Sequence, residues 1–310
     1  VDPATSAGLR QRLVEVQAMV RFAARELDLP SQGSYQDYAD IGRDYVVWTV
    51  VAAPRLSLTP KRWCYPVVGC LSYRGFYQLA EASRFARALG QQNYDVYVAP
   101  VRAYSTLGWF ADPVLNTLIQ GPSWDLAGVI FHELTHQKLY LPGDTAFNEA
   151  YAVAVQREGQ RRWLAQRNNP LESERYHGAQ IRRQAFLDLV RHYQARLEAL
   201  YQSKLERPLK LEARERIFTA LRGAYANLKS AWHGYRGYDR WFGQDLNNAK
   251  LALVATYTDL VPGFEALLKL KHGDMHAFHI AVAQLAGLSP QLRRRQLQAW
   301  RLAVDRSRAG

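Results

Sequence analysis

The stretch VIFHELTHQKLY, residues 129–140, constrains this chain more than any other. It contains His132-Glu133-Leu134-Thr135-His136, an HExxH pattern. Apolar residues recur at Leu126, Val129, Ile130, Leu134 and Leu139, which predicts a helix. Ser123 is placed to cap it, Asp125 puts an acid in its first turn, and Pro142-Gly143 stops it. Residues four apart share a helix face, so His132 and His136 point the same way and can hold one zinc ion. Glu133 is rotated by about 100° from His132. It falls outside that ligand pair yet within reach of a water at the metal, where a general base is needed.

Three protein ligands and one open position make a catalytic zinc site. The extended pattern HExxHxxGxxH does not apply, because Leu139 stands at its glycine position and Pro142 at its last histidine. A glutamate from a following helix fits better. Asp144 or Thr145 can cap a second helix whose first turn carries Phe147-Asn148-Glu149-Ala150, and Glu149 lies thirteen residues after His136. Asp144 is the rival ligand, with capping as its expected task, and Glu158 sits over two turns further on. The expected centre is one zinc per chain on His132, His136 and Glu149, with Glu133 as base.

The rest of the chain is read around that centre. Its 310 residues are 48% hydrophobic and 22% charged, enough for a core of ordinary size in one large domain or a domain with a helical extension. No run of eighteen apolar residues appears, and Val1-Asp2-Pro3-Ala4 has neither the basic nor the apolar part of a signal peptide. A net charge of +12 is read first as arginines solvating helix faces, with attraction to an anionic surface as the alternative. The basic runs Arg161-Arg162, Arg182-Arg183 and Arg293-Arg294-Arg295 are scattered over helical stretches without a nucleic-acid module, so nucleic acid is not an expected partner.

Residues 8–27 predict an amphipathic helix, 45–53 a buried strand, 63–73 a second strand region, 76–89 a helix ended by Gly90, and 94–99 another strand. The stretch Tyr104-Ser105-Thr106-Leu107-Gly108, just before the HExxH helix, is the expected substrate wall, where an open strand edge can pair with an extended peptide. After residue 150 the pattern is almost all helical. One long helix is expected over 172–206 with a stripe of Ile181, Ala185, Leu189, Tyr193, Leu197 and Leu200. Tyr238, Tyr235, His233 and Tyr104 are candidates for stabilising the tetrahedral oxyanion, with Tyr238 preferred. Cys64 and Cys70 are the only cysteines, and their spacing alone allows either a disulfide or two buried thiols.

Several segments together give a resemblance. Trp63-Cys64, Gly69-Cys70-Leu71-Ser72-Tyr73-Arg74-Gly75, the 103–110 stretch, HELTHQ, Phe147-Asn148-Glu149, Asn247-Asn248-Ala249 and Val261-Pro262-Gly263-Phe264 resemble the bacterial zinc-dependent aminopeptidases of gluzincin type. The resemblance runs from about residue 10 to about residue 285. It implies a mostly helical α+β fold, with a zincin-like core, a small mixed sheet and a large C-terminal helical region. The expected division is 1–168 for the catalytic part and 169–310 for a helical part completing the cleft in one unit. It implies His132, His136 and Glu149 as ligands, Glu133 as base, and a peptide as substrate. It also implies export, often with a lipid anchor, hence a periplasmic or peripheral membrane setting and a Cys64–Cys70 disulfide. An endopeptidase acting on protein or cell-wall peptide, and a zinc protein without turnover, are the competing expectations. Where many members carry Glu, this chain has Gln156, and Val153 stands one turn after Glu149. A partner for the zinc histidines is therefore expected from elsewhere.

Overall fold

The computed structural model describes residues 5–30, 33–66, 69–103, 106 and 110–309, with side chains to residue 306. In chain order its elements are α1 (Ala7–Leu27), β1 (Tyr38–Ala39), β2 (Val47–Pro54), β3 (Trp63–Tyr65), β4 (Gly69–Leu71), β5 (Arg74–Phe76), α2 (Leu79–Gln91), β6 (Tyr94–Val101) and β7 (Val114–Leu115). They continue with α3 (Ser123–Lys138), α4 (Thr145–Arg167), α5 (Pro170–Gln202), α6 (Arg207–Ala231), α7 (Asp239–Gly243), α8 (Asn248–Thr258), α9 (Val261–Leu270), α10 (Met275–Ala286) and α11 (Pro290–Ala309). This is the mostly helical α+β architecture expected.

The central sheet has the order β5-β2-β6, antiparallel throughout. Its middle strand is buried on both faces. Val50 and Ala52 pack with Ala82 and Leu89 of α2, whereas Val51 and Ala53 pack with Ala249 of α8. A strand covered on both sides has no polar face, which is why residues 45–53 read as a continuous apolar run. Helix α8 therefore lies against the sheet on one side and α4 on the other. The apolar stretch Asn248–Leu270 reaches a mean hydropathy of 1.3 because α8 and α9 both serve the interior.

Helices α3 and α4 pack antiparallel along their lengths, with Gln160 donating to the Trp124 carbonyl near one end. Gly128 permits the approach, since a Cβ there would fall on the amides of Gln160 and Gln156. The main core joins these helices to α1 through Met19, Phe22 and Leu27, and to the C-terminal helices through Phe264, Phe278 and Leu297. Parts 1–168 and 169–310 thus share one core. A second cluster is built by Phe186, Val190, Tyr193 and Leu197 of α5 with Phe218 and Leu221 of α6.

Several boundaries differ from expectation. Phe76 ends β5 by pairing with Trp48, so α2 begins only at Leu79, and Gly90 lies inside it. Ser123 is the first residue of α3 and not its cap; its hydroxyl donates to Glu15. Helix α3 ends at Lys138, before Pro142-Gly143. In α5 the buried stripe is Phe186, Val190, Tyr193 and Leu197, while Ile181 is 68% exposed. A strict spacing of four drifts by about 40° per step around a helix, so the stripe chosen at that spacing leaves the core face.

Strands β3 and β4 pair Cys64 directly with Cys70, and the two form a disulfide with Cα atoms 3.8 Å apart. This hairpin docks on the turn between α3 and α4. Gly69, at φ +74°, lies so close that a Cβ would sit 2.6 Å from the Gly143 nitrogen. Arg62 Nη2 donates to the Gly143 carbonyl at 2.6 Å and to the Cys70 carbonyl at 3.2 Å.

Candidate metal centre

Asp144 caps α4: its Oδ1 accepts from the Phe147 N–H at 3.2 Å, and its other oxygen pairs with Arg293 of α11 at 2.8 Å. The rival ligand is thereby committed to the cap. Asn148 fixes the turn as well, exchanging two hydrogen bonds of 2.8 Å with the Leu141 backbone. The turn directs the first face of α4 back onto α3. Glu149 Oε2 then lies 3.2 Å from His132 Nε2 and 3.8 Å from His136 Nε2, and the two histidine nitrogens are 3.2 Å apart. Ligand atoms at zinc distances on a tetrahedron stand about 3.3 Å apart, so three of its corners are already formed. These three residues offer a site for a divalent metal ion, and His136 and Glu149 are each only 7% exposed.

The charges suit a cation. Burial works against ionised Glu149, but the hydrogen bond and charge from His132, with the charge of His136, hold its carboxyl below the usual range. Burial pushes His136 down to about 4, leaving a neutral imidazole, with Glu149 opposing and His132 adding. An anionic carboxylate and a neutral imidazole are the forms metal ligands take. His132 is oriented from behind: its Nδ1 faces Gln156 Oε1 at 3.2 Å. The partner expected from elsewhere is Gln156 itself. Seven residues after Glu149, it falls on the same face of α4, where an amide oxygen accepts the proton as a carboxylate would. His136 Nδ1 has no partner among the described residues.

Glu133 stands beside the triad. Burial raises its carboxyl to about 7, His132 opposing and Glu149 and Asp112 adding. A bound cation would draw it down again, toward the ionised form a base needs. Two phenols lie within electrostatic reach of it. Tyr257 of α8 is held well above its usual pKa by burial and by the charges of Glu149, Tyr73 and Glu133. Tyr35 is held up by burial, Glu133 and Asp112. Sequence reasoning did not single out Tyr257. Nothing distinguishes it among 18 tyrosines until α8 is seen wedged against α4.

Tyr238, the expected oxyanion donor, is placed elsewhere. It stacks on Phe186 at 4.5 Å in the second cluster, and the charges facing it are Arg183 and Arg182. The N-cap of the short helix α7 holds it there. Tyr235 lies in the same cluster. Of the expected substrate wall, Tyr104, Ser105, Leu107 and Gly108 lie outside the described residues. Thr106 is described: its N–H donates to Asp112 Oδ2 at 3.0 Å, and its hydroxyl donates to the Phe110 carbonyl at 3.0 Å. Gln137, next to His136, donates to Ser34 Oγ at 2.9 Å and to Asp112 Oδ2 at 3.4 Å. The approach to the 103–110 stretch is thus tied to the helix that carries the histidines.

An HExxH helix answered by a glutamate from the next helix defines a metallopeptidase of gluzincin type. The chain belongs to the family described as "Putative aminopeptidase", whose pattern matches residues 1–297. No curated protein and no solved structure matches it.

Proposed function

We propose that the protein is a zinc aminopeptidase that cleaves peptides with Glu133 as general base and Tyr257 as oxyanion donor. The carrying observation is the buried His132, His136 and Glu149 triad with Glu133 at its side. Zinc is assigned over other divalent ions because two imidazoles and a carboxylate at tetrahedral spacing suit it. When bound, it supplies Lewis acidity, which lowers the pKa of a water and polarises a carbonyl. Glu133 takes a proton from the attacking water and returns it to the leaving amine. The Tyr257 hydroxyl, kept protonated by its surroundings, donates to the oxygen that gains charge. Gln156 keeps His132 in the tautomer that leaves Nε2 free to ligate. Export to an oxidising compartment belongs to the same proposal and is supported by the Cys64–Cys70 disulfide. Membrane association stays part of it through the resemblance alone.

The test combines metal analysis with a panel of aminoacyl fluorogenic substrates, N-blocked peptides and cell-wall peptide. About one zinc per chain and turnover confined to free amino termini are expected. Turnover of blocked peptides would make it an endopeptidase. A metal-loaded protein inert on the whole panel would leave it a zinc protein without turnover.

A further inference from the structure

Buried or half-buried arginines in this protein mostly meet a carboxylate. Arg214 pairs with Asp95, and Arg293 with Asp144. Arg182 and Arg183 of α5 depart from that pattern: among the described residues neither has an ion pair. The Arg182 guanidinium lies over the Tyr235 ring at 4.4 Å with its Nε buried and unpartnered. Arg183 lies within electrostatic reach of Arg157 of α4, a like charge, and of the hydroxyls of Tyr238 and Tyr176. Arg157 is tied to Glu265 at 2.8 Å, and the acid whose charge reaches Arg183 is Asp125, at the exposed start of α3. Nearby Glu158 is taken up by Arg161 and Arg162. Three guanidiniums thus meet two acids, Glu265 already paired with Arg157 and Asp125 exposed, and the surplus is one positive charge in a half-buried, tyrosine-lined cluster. Such a cluster holds unpaired donors suited to a planar anion.

Its position follows from two independent helices. Asp125 lies seven residues before His132 on α3, hence on the same face and about 10 Å away along the axis. Arg157 lies eight residues after Glu149 on α4, or about 12 Å. Both place the cluster two to three helical turns from the triad, toward the start of α3 and the end of α4. An extended peptide advances roughly 3.3–3.6 Å per residue, so about three residues span the gap.

We propose that Arg157, Arg182 and Arg183, with the hydroxyls of Tyr176 and Tyr238, bind the C-terminal carboxylate of the substrate. The preferred substrates are then short peptides with a free carboxyl terminus, some three residues beyond the scissile bond. This rests on the peptidase reading above, and it gives Tyr238 a role in binding rather than at the oxyanion.

The test uses zinc-loaded Glu133→Gln protein, so that the peptide stays whole. Calorimetry compares unblocked tri- and tetra-alanine with their C-terminal amides. The acids should bind at least about tenfold tighter, as expected for a charge-assisted pair in a half-buried site. Adding Arg183→Gln should bring acid and amide to within about twofold, and Arg182→Gln should erase part of the difference. The Arg182 variant carries the test if Arg183→Gln does not fold, as judged by circular dichroism and metal content. Equal binding of acids and amides would overturn the proposal, and so would a preference that survives both substitutions. Equal peptide binding, with retention on anionic phospholipid vesicles lost in the variants, would assign the cluster to lipid headgroups and overturn it too. Hydrolysis is scored separately on the unmutated enzyme: if it cleaves none of the peptides, the peptidase reading fails whatever the affinities show.

Discussion

Glu133 and Tyr257, on two helices far apart in sequence, lie within electrostatic reach of each other, and their substitutions should separate base from oxyanion donor. Glu133→Gln removes a proton acceptor and leaves every ligand in place. It should keep the zinc and lower kcat by about 10²–10⁴. Metal analysis beside steady-state rates checks this; rates near those of the unmutated enzyme would exclude Glu133 as the base. Tyr257→Phe should cost about 10²–10³ in kcat with KM little changed, because its donor is engaged only as charge develops. A loss confined to KM would assign Tyr257 to substrate binding. Lys250, at the other end of α8, gives a prediction about stability. It is fully buried between the rings of Tyr97 and Trp241, and burial lowers its pKa from 10.5 to about 8. A base with a depressed folded pKa is disfavoured while charged. The penalty is complete below about pH 8 and fades as pH rises toward 10.5, where the unfolded chain still holds the proton. Measured against Lys250→Met, the native protein should therefore gain stability between pH 8 and 10.5, and denaturant titrations across that window check it.

At the scale of elements, the HExxH helix, the capped helix after it and the strands β2 and β6 were legible in the sequence, because each carries a local signal. The pattern at residues 126–139 has helical period, Asp144 is followed by helix formers, and the 45–53 run is apolar and β-branched. The end of β5 was not legible. Phe76 is equally at home at the start of a helix or against Trp48, and only the pairing with β2 decides. The second neighbour of His132 was hidden for another reason: an amide and a carboxylate differ in charge but share an acceptor oxygen, so Gln156 was passed over. Tyr257 and the arginine cluster depend on how α8, α5 and α7 fold back, which no local pattern records. The disulfide hairpin gives the prediction at this scale. The loop it closes is short, so its chain-entropy gain is at most about 2–3 kcal/mol. Replacing both cysteines with serine should lower Tm by a few degrees. Because the hairpin braces the 139–144 turn through Gly143, the same variant should still bind zinc but release it faster to a chelator. Stopped-flow release with a zinc dye measures this; equal release rates would show that the turn holds without the hairpin.

In the whole molecule, the catalytic helices are packed from the far end of the chain. Phe147 stacks edge-on against Phe264 of α9, and Tyr151 donates its hydroxyl proton to His279 of α10 at 2.6 Å. A chain ending at residue 168 would present these faces to water. It should therefore fail to fold cooperatively, although it contains the three ligands and the base. A sharp thermal transition in that fragment, read by near-ultraviolet circular dichroism, would contradict the shared core.

The close approach of Gly69 to Gly143 also bears on the order in which the molecule is finished. The spacing between the second histidine and the glutamate is set by a six-residue bend, and that bend leans on a hairpin whose two sides are joined covalently. While the cysteines are still thiols, the bend lacks its fixed abutment and the three ligands are less often gathered. Oxidation should therefore precede efficient uptake of the ion, so that maturation has a sequence: sulfur first, then metal. A newly made chain kept under reducing conditions would be slow to capture zinc, and so slow to become an active hydrolase.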